Sequence, residues 1–124
     1  MKEIFHTDSA PKAIGPYSQA VKAQGLIFVS GQLPIDPATG LIVDGIEAQA
    51  RRCFSNVSAI LKAAGTDLSK AVKVTVYLKS LSDFETVNRV YAEQFSADFP
   101  ARAAVGGLEI PKGALIELDV IAEG

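Results

Sequence analysis

Arg102 is where a chemical reading of this chain starts. It directly follows Phe99-Pro100-Ala101 and lies just ahead of a predicted strand, so a proline of fixed φ stiffens the approach to it. Its guanidinium is a planar fork that grips a carboxylate through two parallel hydrogen bonds. Position alone leaves two readings open: a structural ion pair with Glu117 or Asp119, and a clamp on an anionic ligand. Glu117 and Asp119 fall on one face of the last predicted strand, beside Leu115 and Ile121. Two carboxylates so placed suit general acid–base work, and they equally suit a surface where one is solvated and the other paired. Asn88 lies four residues after Phe84, on the apolar stripe of a predicted helix. An amide turned toward a core needs hydrogen-bond partners. It is either a satisfied structural residue or one that reaches a ligand at the core's edge. Gly31 and Gln32 follow an apolar strand that ends in Ser30.

Other chemistries lack their residues. The single histidine, His6, sits in a terminus that reads as mobile, and no Ser–His–Asp set can be built around it. There is no phosphate loop, no G-x-G-x-x-G and no Cys-x-x-Cys. One cysteine cannot form an internal disulfide, and one histidine cannot build a His-rich metal site. Cys53 falls on an apolar helical stripe and reads as a small buried hydrophobe rather than a reactive thiol.

The elements that must position these residues follow from pattern. Residues 9–19 hold two prolines and a glycine, which predicts an ordered irregular segment. Ala20–Lys22 and Leu26–Ser30 flank Ala23-Gln24-Gly25 as a hairpin with glycine in its turn. Pro34–Gly40 is a loop of turn formers. Ile46, Ala50, Cys53, Val57, Ile60, Leu61 and Ala64 recur at helical spacing, with Gly65 just past the end. A second helix opens at Ser82-Asp83-Phe84-Glu85, which has the form of a capping box. Val72, Val74, Val76 and Leu78 alternate with polar neighbours as a strand. Ala103–Leu108 is a short strand broken by Gly106-Gly107, and Ile116–Ala122 forms the last. Two strand–helix–strand crossovers should be right-handed and lay both helices on one face of a sheet. The other face, with Tyr77, Thr75, Leu115 and Ile121, is half apolar and predicts burial against other subunits.

Composition sets the outer bounds. At 124 residues the chain has the length of one domain, 1–124, and 48% hydrophobic with 21% charged residues is ordinary for a globular protein. Leu26–Val29 is the longest aliphatic or aromatic run, far short of the ~20 residues that span a bilayer. The N-terminus carries no apolar signal segment, which points to the cytoplasm. Net charge is −2 and the basic residues are scattered, so no nucleic-acid partner is expected.

Several stretches together carry a family signature. They are Ala10-Pro11-x-x-Ile14-Gly15-Pro16-Tyr17-Ser18-Gln19-Ala20, Ser30-Gly31-Gln32, Ala63-Ala64-Gly65, Val72-Lys73-x-Thr75-Val76, Asp83-Phe84-x-x-Val87-Asn88-x-x-Tyr91, Phe99-Pro100-Ala101-Arg102-Ala103-Ala104 and Pro111-Lys112-Gly113-x-x-Ile116-Glu117. In this order and over almost the whole chain, they resemble the RidA (YjgF) family. The resemblance implies a chorismate-mutase-like α+β fold with two helices on one face of a mixed sheet. It implies a homotrimer with ligand sites between subunits. It implies hydrolysis of 2-iminobutanoate and 2-iminopropanoate, released by pyridoxal-phosphate dehydratases, to 2-oxo acids and ammonia, without a cofactor or metal. Carried over by position, Arg102 holds the substrate carboxylate and Glu117 orients water. Tyr17, Ser30 and Asn88 line the pocket, and Gly31 and Ala104 contribute backbone. Asp119 keeps its structural reading.

The chain departs from the family in two places. Many members have cysteine where this chain has Ala104, so nucleophilic catalysis there is impossible. Gly106-Gly107 replaces a larger pair, and glycine in a strand marks a bulge or a close backbone approach. Two alternatives stand beside the enzyme: a small-ligand-binding regulator using the same cleft, and an endoribonuclease or translation inhibitor. The acidic composition and single histidine weigh against the last.

Overall fold

The structure is a computed structural model and describes residues 1–124. Its strands are β1 (Glu3–Phe5), β2 (Ala20–Ala23), β3 (Leu26–Gln32), β4 (Ala71–Leu78), β5 (Ala101–Val105) and β6 (Ile116–Glu123). The helices are α1 (Ile46–Ala63), between β3 and β4, and α2 (Phe84–Glu93), between β4 and β5. The sheet order is β1-β2-β3-β6-β4-β5, antiparallel except for the parallel β4–β5 pair at one edge. The fold is therefore the mixed α+β sheet with two helices on one face that the resemblance implies.

Burial follows the period-two pattern. On β6, Ile116, Leu118, Val120 and Ala122 are buried beneath the helices, while Glu117, Asp119 and Ile121 turn to the other face. The helices meet this surface with Ala50, Cys53, Phe54, Val57, Ile60 and Leu61 of α1 and Val87, Val90 and Tyr91 of α2, in one contiguous core. The rings of Phe54, Tyr91 and Phe95 pack edge-on or tilted, with centroids 5.1 to 6.3 Å apart. Gly65, at φ 84°, ends α1 in the left-handed conformation open to glycine. The opposite face stays open in the single chain. Phe28 and Val105 are exposed there, and Tyr77 donates a 2.7 Å hydrogen bond to Asp119 Oδ2.

Several expectations are corrected. The N-terminus is part of the sheet, because β1 pairs along β2 from Glu3 to Phe5. In β4 the alternation breaks at its start. A bulge at Val72 puts Ala71 in the core and leaves Val72 38% exposed. The capping box does not form. Ser80 caps a short 3₁₀ turn, Leu81–Asp83, by accepting from the Ser82 N–H, and α2 grows out of that turn with no side-chain cap. β5 begins at Ala101, so Arg102 lies within the strand, paired with Val74, and not ahead of it.

Candidate active site

The strand partner of Arg102 decides where its side chain goes. Val74 points beneath the helices, so Arg102 points to the helix side of the β5 edge. There it lies along α2. Its Nη1 donates to Asn88 Oδ1 at 2.6 Å, and its guanidinium carbon sits 5.2 Å from the Phe84 ring centre and 4.8 Å from that of Tyr91. Of the two readings left open by position, the ion pair with Glu117 or Asp119 is absent, and Arg102 forms no salt bridge. Asn88 is exposed rather than turned to the core, and its partner is this guanidinium. Asn88, Tyr91, Phe99, Pro100 and Arg102 line a hollow of about 400 Å³. A cation held on one edge, with the rest of its fork unpaired, is suited to take a carboxylate.

Glu117 sits elsewhere. In register with Tyr77 it belongs to the open face, the opposite side of the sheet from Arg102. Between Val29 and Gln32 of β3 there is one residue more than between Val120 and Leu118 of β6, which makes a bulge at Ser30-Gly31. The Glu117 carboxylate lies over this bulge, so close that a Cβ on Gly31 would overlap Glu117 Oε2. Burial, and secondarily the neighbouring Asp119, raise the Glu117 carboxyl above the ordinary carboxylate range. No hydrogen bond or salt bridge offsets this. Tyr17 and Gly31 join Glu117 around a cavity of about 570 Å³, which Lys12 and Lys112 also line. Ser30 Oγ donates to the Ser18 carbonyl at 2.5 Å, and its N–H donates to the Gln19 carbonyl at 2.9 Å. Ser30 thus ties the Tyr17 segment to β3.

Three buried amides hold the walls of this cavity. Gln19 accepts from the Thr7 N–H and donates to the carbonyls of Thr7 and Pro11, which fixes the N-terminal wall. Asn56 donates to the carbonyls of Leu33 and Ile35 at 3.0 and 2.9 Å. Gln49 donates to the Val43 carbonyl and accepts from the Leu115 N–H, which fixes the chain just after Pro111–Gly113. Each satisfies loop backbone that would otherwise be buried unpaired. The reading from sequence missed Gln49 and Asn56. Their signal is a polar amide in phase with the apolar stripe of α1, on either side of Cys53.

The predicted site residues thus form two groups in one chain: Arg102 with Asn88 on the helix side, and Glu117 with Gly31, Tyr17 and Ser30 around the bulge. Ala104 lies two residues beyond Arg102 on the same face of β5, exposed. Gly106 is a place of close approach, because a Cβ there would overlap the Leu81 side chain, and Gly107 turns the chain at φ 73°. Cys53 keeps its structural reading. It is fully buried against the Gln32 carbonyl, 3.3 Å away, and burial pushes its thiol well above the ordinary value. His6 is exposed, 3.7 Å from Asp8.

A family model described as Endoribonuclease L-PSP matches residues 7–124. The chain belongs to the RidA (YjgF) family. It is 54% identical over 123 residues to a RutC family protein of Pyrococcus horikoshii, covering 98% of each. It is 47% identical over 123 residues to the 2-iminobutanoate/2-iminopropanoate deaminase of Bos taurus, covering 98% of this chain and 90% of the relative. The crystal structure of RidA from Psychrobacter superposes with a TM-score of 0.95 at 43% identity, over 98% of this chain and 99% of the other. E. coli TdcF with bound serine superposes with a TM-score of 0.92 at 40% identity, over 98% of each chain. At the level of the RidA family, these relatives support an imine deaminase and a hydrolase role.

Proposed function

We propose that the protein hydrolyses 2-imino acids, 2-iminobutanoate and 2-iminopropanoate among them, to 2-oxo acids and ammonia. The observation that carries this reading is Arg102: an arginine with no ion pair, held on one edge by Asn88 and presenting an open fork beside a hollow. A 2-imino acid offers such a fork a carboxylate next to an electrophilic C=N carbon. The carboxyl of Glu117, which burial makes more basic than an ordinary carboxylate, supplies the second requirement, a proton acceptor for water. Acting as that base, it takes a proton from water as the oxygen bonds to the imine carbon. Glu117 passes that proton to the nitrogen as the C=N bond opens to a carbinolamine. The nitrogen takes a second proton from solvent, and the C–N bond breaks as the hydroxyl gives its proton to the Glu117 carboxylate, which returns it to solvent, so that ammonia and a 2-oxo acid leave. Tyr17 Oη and the backbone at Gly31 and Ala104 orient the imine. Holding water and substrate in attack geometry supplies up to ~7–11 kcal/mol in ideal cases, ample for an imine that hydrolyses unaided in water.

Arg102 and Glu117 lie on opposite faces of one sheet, so one chain does not complete the site. The half-apolar open face supports a homotrimer in which the Arg102 half of one subunit meets the Glu117 half of its neighbour. Trimeric closure covers that face and makes each site from two copies.

Although the family model is described as an endoribonuclease, the net charge of −2 and scattered lysines and arginines favour a small anionic substrate over RNA. The test is a coupled assay with threonine dehydratase, in which an amine trap competes for the released imine. The protein should speed 2-oxobutanoate formation and lower trapping. Unchanged trapping at equimolar protein would refute the activity and leave a ligand-binding protein.

A further inference from the structure

Phe84, Asn88 and Tyr91 stand at i, i+4 and i+7 on α2, and all three touch the Arg102 guanidinium. A long exposed arginine samples many rotamers unless something seats it. Asn88 supplies a hydrogen bond at one nitrogen, and the two rings supply faces. The rings differ in rigidity. Tyr91 is only 4% exposed, and its ring is wedged against Phe54 and Phe95 at centroid distances of 5.8 and 5.1 Å. Phe84 is half-buried. The Tyr91 hydroxyl is the one buried side-chain polar atom without a hydrogen-bond partner, so packing of the ring, and no hydrogen bond, fixes this side chain.

We infer that Tyr91 is a positioning residue: its ring face, assisted by that of Phe84, seats the Arg102 fork for a carboxylate and so sets the preference for anionic over uncharged imines. This rests on the proposed reading of Arg102 as the carboxylate clamp. Neither ring touches the reacting atoms. Their effect is confined to the ligand's anionic end.

The test measures 2-oxobutanoate affinity by calorimetry on the assembled protein, and kcat and KM for 2-iminopropanoate and for its uncharged methyl ester. Tyr91→Leu should weaken 2-oxobutanoate binding and raise KM for 2-iminopropanoate about three- to tenfold, while the ester is unaffected. Tyr91→Phe should restore the affinity, because the face is kept. In an Arg102→Ala background, Tyr91→Leu should weaken binding no further, since coupled residues are not additive. Equal losses for acid and ester, additive losses in the double variant, or failure of Tyr91→Phe to restore binding would each overturn the inference. Full affinity in Arg102→Ala would instead overturn the clamp itself, which separates the two failures. If Tyr91→Leu does not assemble, Phe84→Leu carries the same comparison at a half-buried position. It should raise KM for the acid, and an unchanged KM would count against the inference.

Discussion

Replacing Glu117 by glutamine keeps the side chain's shape and removes its charge and its capacity to accept a proton. In the folded chain the carboxyl is half-buried over Gly31, and burial and then Asp119 hold it above its ordinary value of 4.5. No bond to the carboxylate offsets that penalty, so ionisation at this position opposes folding. The native state binds the proton more tightly than the unfolded chain does. Stability attributable to Glu117 is therefore complete at low pH, falls as pH rises from 4.5 through the raised native value, and stays lower above it. Glu117→Gln should raise the melting temperature at about pH 7 and change it little at about pH 4. The same substitution removes the proposed general base, an effect that typically amounts to ~10²–10⁴-fold, so kcat should fall at least about 100-fold. Binding of a 2-oxo acid, which the proposed mechanism assigns to Arg102, should largely survive. Scanning calorimetry at the two pH values and imine kinetics read these effects separately. A lower melting temperature at about pH 7 would show that the carboxylate stabilises the fold. Unchanged kcat would remove Glu117 from the chemistry.

Arg102→Lys keeps the charge and loses the fork. It should lower kcat/KM at least about tenfold, the equivalent of a charge-assisted hydrogen bond of ~1.5–3 kcal/mol, with little change in melting temperature because no ion pair is broken. Gly31→Ala should cut kcat about tenfold or more while costing only about 1 kcal/mol in urea unfolding, since the new methyl meets the movable end of Glu117 rather than backbone. Asn56→Ala strips the donors from the carbonyls of Leu33 and Ile35 and should lower unfolding free energy by about 2–4 kcal/mol, read as a lower urea midpoint at constant slope.

The hairpin around Gln24-Gly25, the extent of α1 and the alternation of β6 were legible because each is written in local pattern. The start of β5 was not. Its first residues are paired by a parallel neighbour, β4, and parallel pairing leaves no mark in the strand's own sequence. The bulge at Val72 was hidden because Val72 continues the period-two phase of Val74 and Val76, so the alternation runs unbroken through it. Ser82 looked like a cap, but the 3₁₀ turn ahead of α2 takes its cap from Ser80. Arg102, Asn88 and Glu117 stood out as residue types, whereas their relation did not. That Arg102 rests on α2 and Glu117 faces the other side of the sheet depends on which strand each neighbours. Gln49 and Asn56 were concealed by the apolar stripe they interrupt.

Subunit mixing shows whether imine hydrolysis takes place in a site built from two copies of the chain. Arg102→Ala and Glu117→Gln chains, each inactive as a uniform assembly, are coexpressed in equal amounts and the mixed assembly is assayed for 2-iminobutanoate hydrolysis. If the arginine of one subunit works with the glutamate of the next around a threefold ring, random mixing restores one intact site in most assemblies, about a quarter of wild-type activity. If both residues act within one chain, no mixture contains an intact site, and activity stays at the level of the separate variants.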